Sequence, residues 1–100
     1  MADTDTVETT HNADEHRYEA RIGGELAGVA VYELEDRHAG PVIVFTHTEV
    51  DDAFEGKGVG SALARFALDD VRRTGERRVV PQCPFIKGWI DKHPDYADLV

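Results

Sequence analysis

The chain predicts an α/β fold: a mixed, mainly antiparallel sheet with one long helix after a glycine loop and one short C-terminal helix. Three observations carry this. Polar and apolar residues alternate from Arg17 to Leu34 around a break at Gly23-Gly24, a β-branched run fills 42–50, and Gly56, Gly58 and Gly60 open a stretch of helical periodicity. With 41% hydrophobic residues in 100, the composition supports one compact domain with a modest core.

Positions 1–16 hold Asp3, Asp5, Glu8, Asp14 and Glu15, no Lys or Arg, and Val7 as the one branched aliphatic. So little apolar surface does not offset the entropy of ordering, so 1–16 reads as a disordered acidic tail and 17–100 as the domain. In the first strand Tyr18, Ala20 and Ile22 face one way and Arg17, Glu19 and Arg21 the other. Gly23-Gly24 supplies the positive-φ pair of a two-residue hairpin, and the return strand runs from Leu26 to about Leu34. Residues 35–41 form a polar turn.

The strand from Val42 to Val50 has the β-branched continuity of a central strand. Simple alternation places Ile43, Phe45, His47 and Glu49 on one face and Val42, Val44, Thr46, Thr48 and Val50 on the other. After the loop, Val59, Leu63, Phe66, Ala67 and Val71 make one helical stripe. Arg72 and Arg73 suit the last turn, and Gly75 a left-handed stop. Arg78-Val79-Val80 forms a short strand interrupted by Pro81 and Pro84. A short helix follows with Phe85 and Trp89 buried, and Tyr96, Leu99 and Val100 tuck back onto the sheet.

A net charge of −9 without a basic stripe argues against nucleic acid as a partner and against an anionic membrane surface. Cys83 is the lone cysteine, so no intramolecular disulfide forms, and neither end carries a leader or a long apolar run. The chain reads as cytoplasmic. His47, Glu49, Asp51 and Asp52 lie close in sequence but lack standard ligand spacing, so no metal site is expected.

A glycine loop between a strand and a helix is a phosphate cradle in form, because the helix start leaves amides unpaired and glycines admit a ligand to them. The triphosphate-binding pattern is absent, since Lys57 sits between glycines and no Ser or Thr follows it. The dinucleotide pattern needs glycine where Ser61 stands.

His47-Thr48-Glu49-Val50, Glu55-Gly56-Lys57-Gly58-Val59-Gly60-Ser61, Pro81-Gln82-Cys83-Pro84-Phe85 and His93-Pro94-Asp95-Tyr96 together resemble the short, single-domain YjdJ-type branch of the GNAT N-acetyltransferase superfamily. The resemblance spans most of 17–100. It implies that Val50, Glu55, Gly56, Lys57, Gly58, Val59, Gly60 and Ser61 bind acetyl-CoA (coenzyme A), with the pyrophosphate on the loop amides. Gly58 and Gly60 match the superfamily's Q/R-x-x-G-x-G/A pattern, whereas Glu55 replaces its first Gln or Arg. The resemblance also implies a splay between the strand 42–50 and its neighbour at 78–82, into which the pantetheine arm slots.

Acyl transfer to an amine needs a base and a donor to the thioester oxygen. A main-chain N–H near Val50 supplies the donor, and Glu49 or His47 takes the amine proton. The resemblance adds Cys83 as a third catalytic candidate, either accepting the acetyl group or lining the acyl pocket. Trp89 falls where larger relatives carry an acidic tyrosine, leaving Tyr96 as substitute or as a core aromatic. The acceptor site lacks the usual capping helices, which favours a protein, a peptide or another bulky amine. A non-enzymatic acyl-CoA-binding module or sensor and a ligand-free interaction domain are the alternatives, and monomer and homodimer both stay open.

Overall fold

A computed structural model describes residues 6–100. Five strands pair in chain order, β1 (Val7–Asn12), β2 (Arg17–Ile22), β3 (Glu25–Arg37), β4 (Gly40–Val50) and β5 (Arg78–Pro81). The first four are antiparallel, and β5 runs parallel to β4 because helix α1 (Val59–Thr74) carries the chain back between them. Helix α2 (Pro84–Lys92) and a 3₁₀ segment, Pro94–Leu99, complete the chain. The fold class matches the expectation, with one more strand.

That strand is β1, which corrects the reading of 1–16 as disordered. Residues 1–5 lie outside the described residues, but Val7–Asn12 pair in full register with β2. An edge strand needs only one apolar face, so counting aliphatic residues underestimates it. Val7 packs against the core, and the His11 ring stacks on Tyr18 with centroids 4.3 Å apart. His11 also meets the Tyr32 hydroxyl at 2.6 Å.

The β3–β4 hairpin is tighter than the sequence implied. Strand β3 continues to Arg37 and β4 starts at Gly40, leaving His38-Ala39 as the turn where a seven-residue loop was expected. Pairing of Glu35 with Val42 and of Asp36 with Pro41 extends the ladder through residues whose polarity suggested a loop.

A bulge at Thr46 decides how the site is built. Val31 pairs with His47 and Tyr32 with Phe45, so Thr46 is the extra residue. It inverts the alternation of β4: Ile43 and Phe45 face the core, but beyond the bulge Thr48 and Val50 do so, and His47 and Glu49 join Val42 and Val44 on the outer face. The expected grouping of His47 and Glu49 with Ile43 and Phe45 is therefore corrected.

Helix α1 buries Val59, Leu63, Ala64, Ala67, Leu68 and Val71 against Tyr18, Ala30, Tyr32 and Phe45. Its first turn is seated by Gly28, where a Cβ would lie 2.9 Å from Val59 Cγ1 and 2.8 Å from the Glu49 carbonyl oxygen. Any side chain there would lift the helix start from the end of β4. Gly75 ends the helix at φ 66°, its N–H bonded to the Val71 carbonyl. In the C-terminal segment Tyr96 is buried and Leu99 packs on the core, but Val100 is exposed, unlike the expected tuck.

On the outer face the Glu19 carboxylate is nearly buried, accepting hydrogen bonds from Asn12 at 3.0 Å, Arg17 at 2.7 Å and Arg21 at 2.8 Å. These bonds, Asn12's first, lower its pKa to about 2. A depressed carboxylate stabilises the fold above its unfolded-state value and loses that contribution as pH falls through the folded one. Between pH 4.5 and about 2 the chain is expected to lose about 2 kcal/mol through this group, discounted for the partly exposed arginines. Urea titrations from pH 6 to pH 2 check it: Glu19→Gln should be less stable at pH 6 and show a flatter acid limb.

Candidate functional site

The pairing of β5 with β4 ends at Phe45–Pro81, yet β4 continues to Val50. Proline lacks a ladder donor, and the chain then turns away, with Gln82 N–H bonded to the Val80 carbonyl and Cys83 N–H to the Phe45 carbonyl at 2.8 Å. The two strands separate from that point. The bond from Asp51 N–H to the Ala27 carbonyl, 2.8 Å, fixes the parity of β4: the backbone groups of His47, Glu49 and Asp51 address β3. Those of Thr48 and Val50 face the gap. A strand edge with outward N–H and C=O groups is what an extended amide-bearing ligand adds to.

The glycine loop stands at the open end of this gap. The Asp51 side chain accepts from Ala53 N–H at 2.9 Å and caps a single 3₁₀ turn, Asp52–Phe54, which delivers the chain to Gly56. Gly56 and Gly58 have φ of 80° and 77°, and a Cβ on either would meet nothing within 4 Å. Ala62 N–H to the Gly58 carbonyl is the first bond of α1, so the amides from Gly58 to Ser61 have no intrahelical acceptor. Left-handed glycines, clear space above them and a helix start of four turns make a cradle of the right chemistry for a diphosphate.

Gly60 has a packing reason to be small in addition to its place in the motif. A Cβ there would lie 2.7 Å from Phe85 Cζ, so the small residue admits that ring. Phe85, expected in the core, is instead 43% exposed and lies across the first turn of α1. The Ser61 hydroxyl accepts the Trp89 indole N–H at 3.0 Å. Both contacts lock α2 to α1 beside the gap. Glu55 and Lys57 are exposed on the loop.

The catalytic candidates separate into two groups. His47 Nε2 and Glu49 Oε2 are 3.0 Å apart, largely exposed on the outer face next to Val50. Cys83 lies on the core side at 4% exposure, its Sγ 3.4 Å from Thr48 Oγ1. The sheet stands between them, so His47 does not activate the thiol. The Tyr96 hydroxyl donates to Asp69 at 2.7 Å, and that bond raises its pKa. Tyr96 is thus a core aromatic tied to α1, as the second of its two readings had it. Sequence reasoning missed Thr48, Phe85 and the bulge; Thr46 in a β-branched run carries no local mark of a bulge.

An open β4 edge, a glycine-bearing start of α1 and a parallel fifth strand make the mixed α/β architecture of a GNAT-like acetyltransferase fold. Residues 17–99 match the sequence profile of the GCN5-related N-acetyl-transferase family, and the chain belongs to that family. Protein NATD1 of Bos taurus is 28% identical over 89 residues, covering 88% of this chain and 75% of that protein. Among the described residues no helix is long and apolar enough to cross a membrane.

Proposed function

We propose that the protein transfers an acetyl group from acetyl-CoA to an amine. The observation that carries this is the splay itself, an unpaired β4 edge at Thr48 and Val50 leading from the glycine cradle to His47 and Glu49. Bound acetyl-CoA supplies an activated thioester. The amides from Gly58 to Ser61 hold its pyrophosphate, the Thr48 and Val50 backbone aligns its amide arm, and Val50 N–H meets the carbonyl oxygen as charge develops there. Glu49 takes a proton from the incoming ammonium, and His47 at 3.0 Å orients that carboxylate and passes the proton to solvent. The neutral amine attacks the carbonyl carbon, the C–S bond breaks, the nitrogen gives up its second proton to solvent, and the CoA thiolate takes one from solvent and leaves as thiol. A reduced lone thiol at Cys83 fits a cytoplasmic setting.

Cys83 lines the acyl end and carries no acetyl group in this reading, because Sγ is buried and its hydrogen bond goes to the Thr48 hydroxyl, which is not a base. The test is to titrate the protein with acetyl-CoA, following melting temperature and, with simple amines present, release of CoA. At one hundred times Kd the gain is about 2.7 kcal/mol, so the midpoint should rise by roughly ten degrees or more. Cys83→Ala should keep at least about a third of kcat, where an acyl-cysteine route predicts a loss of about a hundredfold or more. Stabilisation without CoA release from any amine would favour a binding module, and no stabilisation would overturn both.

A further inference from the structure

On the outer face beside Glu49 lies a hollow of about 210 Å³ with opposite charges at its two ends. Leu26 and Val29 form its apolar floor, Arg17 stands at the β2 end, and Glu49 and Asp51 stand at the β4 end. The sheet register explains the arrangement: Glu19, Val29 and Glu49 align across β2, β3 and β4, and Arg17, Val31 and His47 form the next row. Two strand spacings across and two residues along put the backbone positions of Arg17 and Glu49 about 12 Å apart. Each end is held by a neighbour on its own strand, Arg17 by Glu19 at 2.7 Å and Glu49 by His47 at 3.0 Å, and both line the hollow. Arg17 commits its Nε–H to Glu19, and a guanidinium carries four more donors.

We infer that this hollow is the acceptor site and that it selects an amine bearing its own carboxylate, the ammonium at Glu49 and the carboxylate at Arg17. The inference rests on the proposed acetyl transfer, since Glu49 is then both the base and the cationic subsite. After a hydrogen bond of about 2.9 Å at each end, about 6 Å remains, which about three methylene groups bridge when extended and four or five when bent. An uncharged alkylamine of equal length would fill the floor but leave the Arg17 end without its anion. The same pair of groups occurs in a free ω-amino acid and in a lysine beside an acidic residue of a peptide.

The test compares kcat/KM for 4-aminobutanoate, 5-aminopentanoate and 6-aminohexanoate with alkylamines of matched length, and for a blocked Lys-Asp dipeptide with Lys-Asn. At least tenfold preference for the carboxylate-bearing member of the free or the peptide pair is expected, and the pair that shows it identifies the source. Arg17→Met should collapse that preference, and Arg17→Lys should restore part of it. Because Glu19 loses a partner in Arg17→Met, amide chemical shifts of the parent protein provide a second reading. Millimolar 5-aminopentanoate should move Arg17, Val29 and Glu49, and pentylamine should move Arg17 little. Equal turnover of charged and uncharged amines, with no such shifts, overturns the inference and leaves acetyl transfer standing. Localised shifts without turnover of any amine overturn acetyl transfer and leave the zwitterion site standing.

Discussion

Replacing Gly58 with glutamate is expected to abolish the acetyl-CoA-induced rise in melting temperature while the unliganded protein stays folded. Gly58 caps α1 at φ 77° and ψ 19°, and a Cβ built there meets nothing within 4 Å. The substitution therefore costs left-handed strain of about 1–2 kcal/mol, partly offset by a carboxylate at a helix N-terminus, worth about 0.3–1 kcal/mol. For a domain of this size that is a loss of some degrees, well short of unfolding. The same carboxylate lies where the diphosphate belongs and competes for the amides from Gly58 to Ser61, so Kd for acetyl-CoA should weaken by about a hundredfold or more. Gly58→Asn separates charge from strain, since asparagine tolerates the left-handed region, and should retain most of the shift. Calorimetric titration of both variants decides. Parent-like affinity in Gly58→Glu would remove the cradle from the proposed function.

Much of the site's position was legible because local chemistry dictated it. Gly23-Gly24, the stripe from Val59 to Val71 and Gly75 lie where turn chemistry and helical period put them. Pro81 and Pro84 marked the end of β5, and the splay follows from their missing donors. What was not legible depends on partners distant in sequence. Strand β1 is held by pairing to β2 and by stacking of His11 on Tyr18, neither of which composition reveals. The bulge at Thr46 is a feature of how β4 pairs with β3, and it turns His47 and Glu49 outward. The packing of Phe85 on Gly60 was not legible for the same reason, because Phe85 comes from another helix.

The outward turn gives Glu49 a role that substitution can isolate. Glu49→Gln keeps the size and hydrogen-bonding reach of the side chain while removing its ability to take a proton, and general-base catalysis of this kind is worth about 10²–10⁴ in rate. At neutral pH kcat should fall by about that factor, with acetyl-CoA affinity close to the parent's, because the cradle and the Thr48–Val50 edge do not involve the carboxylate. His47→Gln leaves the base in place without its 3.0 Å partner, so a loss of about tenfold or less is expected. The pH dependence separates a base from a purely electrostatic contact. An alkylammonium deprotonates in solution near pH 10.4, so the deficit of Glu49→Gln should narrow steadily as the medium supplies more free amine. An electrostatic role predicts a different profile, in which the deficit widens where the acceptor is cationic only through KM and kcat stays level. If kcat in Glu49→Gln equals that of the parent across pH 6 to 10, proton removal does not pass through β4.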